Sequence, residues 1–151
     1  MSRSQLVTAA PPETVWEVLS EPQHYAYWVV GSSEIRAWDD DWPAPGSRFE
    51  HRVGFQPLTL ADHTEVLHSE PPSRLVLRAK SRPLGVARVE ILIQPHPAGS
   101  LVTMIEDPDL PLAGILTPPP VHALIRLRNG ESLRRLRSLA EGRVERDHAA
   151  G

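Results

Sequence analysis

The stretch SRFEHRV, residues 47–53, shows a period of two in its side chains. Phe49, His51 and Val53 occupy every second position, and arginine or glutamate stands between them. Because successive side chains of a β-strand point to opposite faces, this alternation predicts a strand with one face against a core and the other in water. The stretch therefore favours an antiparallel sheet with one buried face.

The same alternation appears in the segments that follow this stretch. It is found in PLTLADHTEVLHSE (57–70), RLVLRAKS (74–81) and GVARVEILIQ (85–94), and further strands are expected in RSQLVTA (3–9), SSEIRAW (32–38) and SLVTMIED (100–107). Turn residues in EPPS (70–73) and HPAGS (96–100) separate neighbouring segments. Short turns join antiparallel neighbours, so the sequence predicts an antiparallel sheet of about seven strands.

Helical patterns flank the strands on both sides. PPETVWEVLS (11–20) carries an apolar face at helical spacing, and Pro22 opens a second short helix that runs through Trp28. The longest helix is expected over residues 121–141, and residues 142–151 are expected to form a disordered tail. A sheet with one apolar face needs a cover, and only the C-terminal helix is long enough. The predicted class is α+β, with the sheet curled around that helix.

Composition narrows the classes of protein that are possible. A chain of 151 residues is expected to form one domain, here residues 1–141. A net charge of -3 argues against a nucleic-acid binder, and the absence of cysteine excludes disulfides and thiolate metal sites. No apolar run has the length of a signal peptide core or a membrane span, so the sequence predicts a cytoplasmic protein without membrane insertion. A monomer or homodimer is expected.

The order of elements and several local segments resemble the SRPBCC or START-like superfamily, in particular its polyketide cyclase/dehydrase and lipid-transport branch. The matching segments are AAPPETVWEVLSEPQHYAYW (9–28), WPAPGSRFEHRVG (42–54), EVLHSEPPSRLVLRA (65–79) and RNGESLRRLRSLAE (128–141). The resemblance implies a helix-grip fold with an internal hydrophobic cavity between the sheet and the long helix. Members of the superfamily differ in function, so the fold by itself does not select one.

His51 and Asp62 are the predicted catalytic pair. If the hairpin turns about Phe55 and Gln56, His51 lies opposite Leu60, and Asp62 becomes its diagonal neighbour on the apolar face. A carboxylate beside an imidazole orients the ring and raises its pKa, which suits acid–base work on an enolisable substrate. The alternative is a register shift that leaves one of the two groups in solvent or bonded to the backbone.

Other polar residues have two interpretations each. Asn129 lies on the apolar stripe of the long helix, next to Gly130, and either projects its amide into the cavity, marks a local kink or is bonded to the sheet. Glu106 and Asp107 end the last strand, where acids are most often solvated turn formers but could also line a cavity mouth. The seven histidines show no metal-ligand spacing, so neither a metal site nor a cofactor is predicted.

The aromatic stretch HYAYWVVG, residues 24–31, falls between the short helices and the returning strand. In a helix-grip fold Trp28, Val29 and Val30 would plug or line the cavity mouth. The predicted ligand-binding residues are Trp28, Val30, Phe49, His51, Leu60, Leu77, Val89, Ile91 and Asn129.

Three functions are compatible with the sequence. The preferred one is binding of a hydrophobic small molecule, such as a lipid, isoprenoid or polyketide. The first alternative is a cofactor-independent polyketide cyclase or dehydratase, in which Asn129 would position a carbonyl for His51 and Asp62. The second alternative is a protein-interaction or co-chaperone-like module.

Overall fold

A seven-stranded antiparallel sheet is the main element of the computed structural model, which describes residues 1–30, 32–55, 58–81, 85–108 and 119–150. The strands are β1 (Ser2–Thr8), β2 (Ser32–Trp38), β3 (Arg48–Phe55), β4 (Leu58–Glu70), β5 (Arg74–Ser81), β6 (Gly85–His96) and β7 (Gly99–Pro108). Their order in the sheet is β1-β7-β6-β5-β4-β3-β2. The first strand, β1, therefore pairs with the last strand, β7, and the other neighbours in the sheet are consecutive in the chain. The predicted α+β helix-grip class is confirmed.

Three α-helices accompany the sheet in the described residues. They are α1 (Pro12–Leu19), α2 (Tyr25–Trp28), which follows a 3-10 turn at Pro22–His24, and α3 (Pro119–Ala150). Pro12 and Glu13 suit the first turn of α1 because this turn needs no backbone donor and favours a negative charge. Helix α3 continues to Ala150, so residues 142–150, which were expected to be a disordered tail, are helical in the structure.

The core lies between the concave face of the sheet and α3. Alternating strand residues such as Leu75, Ile91 and Val102 are buried on this face, and Leu133 and Leu136 of α3 pack into the same cluster. The helix is also anchored by polar contacts at its second half. Glu141 accepts hydrogen bonds from the Thr8 hydroxyl at 2.8 Å and the Ala9 amide at 2.9 Å.

Gly99 is required where the β6–β7 hairpin approaches the β1–α1 connection. Its φ is +153°, and a Cβ at this position would lie 2.5 Å from the carbonyl carbon of Ala9. Because any larger side chain would collide with backbone, glycine permits this close approach. By contrast, a Cβ on Gly130 would meet only the Arg134 guanidinium at 3.8 Å, so Gly130 is not needed to make room.

The hairpin of β3 and β4 differs from the predicted register. His51 pairs directly with Asp62, and Phe55 pairs with Leu58, so the predicted pairing of His51 with Leu60 is wrong. The difference arises because the ladder of paired residues continues to Phe55, which the prediction assigned to the turn. The register moves by two residues, an even number, so His51 and Asp62 stay on the predicted face.

We expect the helix-to-sheet packing to dominate stability. Leu133→Ala should lower the free energy of unfolding by about 2–5 kcal/mol, because the side chain is 1% exposed and its removal leaves a cavity. Leu127→Ala, the same substitution on the same helix at a residue that is 69% exposed, should change it by less than about 0.5 kcal/mol. Urea unfolding of both variants measures this difference, and equal losses would contradict the assignment of the buried face.

Candidate functional site

A cavity of about 280 Å³ lies between the concave face of the sheet and α3. Its described walls are mostly apolar, and they come from α2, the central strands and the helix. They include Trp28, Val30, Phe49, His51, Leu77, Val89, Ile91 and Asn129. Thus eight of the nine residues predicted to bind a ligand border one cavity, and the side chain of the ninth, Leu60, lies outside the part that the structure describes.

Two small residues leave the space open at the centre of the sheet. Ala79 of β5 pairs directly with Ala87 of β6, and both line the cavity. The neighbouring cross-strand pair, Leu77 and Val89, is larger and also lines it. Since a strand pair normally fills its face with branched side chains, two adjacent alanines leave a void that the helix does not close.

His51 occupies one side of the cavity, on β3. Its Nε2 atom lies 3.1 Å from the Thr64 hydroxyl, and its Nδ1 atom is buried. Burial lowers the pKa of His51, and the negative charge of Asp62 opposes this effect only in part. His51 is therefore a neutral imidazole near neutral pH, able to accept a proton.

Asp62 is buried opposite His51 on the neighbouring strand β4, and its carboxylate is bonded to the backbone. Its side chain is 3% exposed, and its Oδ1 atom accepts a hydrogen bond from the His63 amide at 3.1 Å. Within the described part of the chain His51 lines the cavity and Asp62 does not. Asp62 therefore acts on His51 through its negative charge across the strand pair, and its predicted orienting role stays a prediction.

A second polar group lies on the other side, between β7 and α3. Arg128 donates hydrogen bonds through Nη2 to both carboxylate oxygens of Glu106, at 2.6 and 2.5 Å, and the Asn129 amide donates to Glu106 at 2.9 Å. All three residues line the cavity. Asn129 therefore does project toward the cavity, and its partner is a carboxylate of the sheet.

The environment of Glu106 differs from the one that the sequence favours. The preferred interpretation of Glu106 and Asp107 was a pair of turn formers, whereas Glu106 lines the cavity and Asp107 lies 3.5 Å from the N-terminal ammonium group of Met1. Strand alternation carried the signal: Val102 and Met104 belong to the core face, so Glu106 two residues later points the same way.

The aromatic stretch 24–31 is both core and cavity wall. Trp28 is 1% exposed, its ring centroid lies 4.8 Å from that of Tyr25, and it lines the cavity, whereas Tyr27 is 53% exposed. The Val30 amide donates to the Ser132 hydroxyl of α3 at 3.1 Å. This bond joins the end of the segment to α3, and residues of both line the cavity.

In the regions that the structure describes, no three histidine or carboxylate side chains converge in the way that a metal ion requires. None of the described helices is sufficiently long and apolar to cross a bilayer.

The state of His51 predicts how stability depends on pH. The pKa of His51 in the folded chain is below the ordinary value of 6.5. Between the two pKa values the unfolded chain therefore binds a proton at His51 and the folded chain does not. Stability should fall as the pH is lowered from about 7.5 to about 5.5, and His51→Gln should reduce this fall. Thermal unfolding at both pH values measures it. The exposed His148→Gln is the control and should keep the wild-type dependence; identical slopes for His51→Gln and wild type would contradict the buried neutral imidazole.

Solved structures confirm the architecture. The chain is similar to protein NE0264 from Nitrosomonas europaea, with a TM-score of 0.71, 19% identity, and coverage of 93% of this chain and 94% of that one. It is similar to DynU16, from the dynemicin biosynthetic locus, with a TM-score of 0.67, 21% identity, and coverage of 93% and 46%. It is also similar to StfQ, a di-domain ARO/CYC from the steffimycin biosynthetic pathway, with a TM-score of 0.70, 12% identity, and coverage of 95% and 51%.

Among curated proteins, the comparison finds no match. A family model described as "Polyketide cyclase / dehydrase and lipid transport" matches residues 1–141, from β1 into the second half of α3. The match spans every strand that forms the cavity and the part of α3 that closes it. The chain therefore belongs to the polyketide cyclase/dehydrase and lipid-transport family.

Proposed function

We propose that the protein binds a small, largely apolar molecule in the cavity between its sheet and α3. The observation that carries this proposal is the cavity itself, about 280 Å³ with mostly apolar walls, to which Trp28, Leu77 and Ile91 of the hydrophobic core contribute. Protein interiors rarely keep voids larger than a water molecule, so a space of this size favours a ligand.

The size of the cavity limits the ligand. Pockets for drug-sized molecules have volumes of about 300–1,000 Å³, so this one suits a compact or slender molecule. The aliphatic walls from Leu77, Val89 and Ile91 would contact its body. Family membership supports a lipid, isoprenoid or polyketide-like molecule of this size.

The polar atoms around the cavity indicate that the ligand also carries polar groups. Trp28 Nε1 and Ser32 Oγ are buried and have no hydrogen-bond partner within the described ranges, and both residues line the cavity. Unpaired buried polar atoms are rare in native proteins because each one costs about 1–3 kcal/mol. A bound molecule with hydroxyl or carbonyl groups would add partners on this side.

Filling the cavity should abolish binding without unfolding the chain. Ala87→Leu adds three carbon atoms to the cavity wall, so we expect at least about tenfold weaker binding of a neutral fluorescent apolar probe such as N-phenyl-1-naphthylamine. Ala98→Leu, at an exposed position in the β6–β7 hairpin, is the control and should bind like wild type. Fluorescence titration measures both. Unchanged binding by a folded Ala87→Leu protein would place the ligand elsewhere.

A second candidate function is acid–base catalysis in the same cavity, and the direct pairing of His51 with Asp62 favours it. A neutral imidazole could accept a proton from an enolisable carbon next to a carbonyl, and the buried carboxylate would stabilise the imidazolium that results. Asn129 would position the carbonyl, and no cofactor enters the scheme. The protein-interaction alternative stays a prediction without a specific supporting feature.

A single substitution at His51 should distinguish a loss of catalysis from a loss of binding. His51→Gln should lower turnover of a poly-β-ketone analogue by at least about 100-fold, since a glutamine cannot transfer protons, while binding of the analogue changes little. Chromatographic analysis of cyclised product, together with a binding titration, measures the two effects. Full turnover by His51→Gln would remove His51 from the mechanism, and absence of turnover in wild type would leave binding as the function.

A further inference from the structure

We infer that the cavity selects neutral ligands that carry a hydroxyl or carbonyl group and rejects carboxylates, and that Glu106 is the residue that determines this specificity. The inference rests on the proposed binding function and adds the charge class of the ligand. It depends on how the charged groups around the cavity are already paired.

The first step concerns Arg128, the cation that a carboxylate ligand would use. Glu106 already occupies it, because both carboxylate oxygens accept hydrogen bonds from Arg128 Nη2 at 2.6 and 2.5 Å. The pair is partly withdrawn from water, with 11% of the Glu106 side chain and 33% of the Arg128 side chain exposed. A second carboxylate at this position would meet an arginine whose charge is already neutralised.

The second step concerns the opposite side of the cavity. His51 is held neutral by burial, and the nearby Asp62 is a carboxyl group, so this side also lacks a cation that could pair with an acid. Lys80 borders the cavity but is exposed, so water and salt screen its charge. Apart from the exposed Lys80, the charged groups that line the cavity are therefore Arg128 and Glu106, and their charges cancel in the ion pair.

The third step compares the two ligand classes. An ionised carboxylate would lose its hydration on entering the cavity, and Arg128, which already pairs with Glu106, would not offset this loss. A hydroxyl group can donate to Glu106, and a hydroxyl or carbonyl can accept from a polar hydrogen such as that on Trp28 Nε1. The pairing of Glu106 with Arg128 and Asn129 thus favours neutral polar ligands.

The experiment uses matched pairs of probes that differ only in this group. Decanol is compared with decanoate, and naphthol with naphthoate, by calorimetric titration of the full chain near neutral pH, where both acids are ionised. We expect the neutral member of at least one pair to bind at least about tenfold more tightly than its acid, since the carboxylate loses its hydration without gaining a free cation at Arg128.

The variant Glu106→Gln should change this preference. Glutamine keeps the size of the side chain but removes its charge, which leaves Arg128 available to a carboxylate. The acid of the same pair should then bind at least about tenfold more tightly than to wild type, while binding of the neutral probe changes less than about threefold. Glu90→Gln is the matched control: Glu90 accepts from Arg74 at 2.6 Å with 15% of its side chain exposed, and it does not line the cavity within the described residues.

The outcomes distinguish the inference from the function on which it rests. Acids that bind wild type as tightly as their neutral counterparts overturn the selection but leave the binding function intact. Failure of all four probes to bind wild type overturns both. A Glu106→Gln protein that folds, as judged by its thermal transition, but keeps the wild-type preference removes Glu106 as the determinant. If that variant does not fold, the wild-type comparison of acids with neutral probes still decides the selection.

Discussion

The burial of one sheet face by one helix is the constraint on which the rest of this structure depends. A seven-stranded sheet with apolar residues at alternate positions exposes that face unless another element covers it. Helix α3 supplies the cover through Leu133, Leu136 and Ala140, which are almost completely buried. The helix packs mainly against β1 and α1, so the central strands curve away from it and the space between them becomes the cavity.

Small side chains then keep the cavity open, and polar pairs place hydrogen-bonding groups on its walls. Ala79 and Ala87 leave it open in the middle, while His51 with Thr64 and Glu106 with Arg128 place polar groups on opposite sides. The hydrogen bonds within these two pairs offset part of the cost of placing polar groups in an apolar cavity. The same pairing explains why charge, in addition to size, can discriminate between ligands.

Much of the site could be predicted from alternation alone. Phe49, His51, Leu77, Val89 and Ile91 were assigned to the cavity face because a period of two leaves no other arrangement once one face is known to be buried. The position of Glu106 follows from the same rule applied to Val102 and Met104. The sequence nevertheless favours a solvated turn former there, because acids at strand ends are most often solvated. The pairing of His51 with Asp62 was out of reach in detail, because turn positions between strands shift by a residue or two without changing the pattern.

The amino-acid sequence by itself determined which residues face the core, the order of strands and helices, and the need for α3 to cover the sheet. These properties depend on local periodicity and on the burial of apolar surface, which the order of residues already contains. Only the tertiary structure decided that Arg128 and Asn129 of the helix meet Glu106 of the last strand. Those residues are more than twenty positions apart, and their contact depends on how the helix rotates and slides over the curved sheet, which periodicity does not specify.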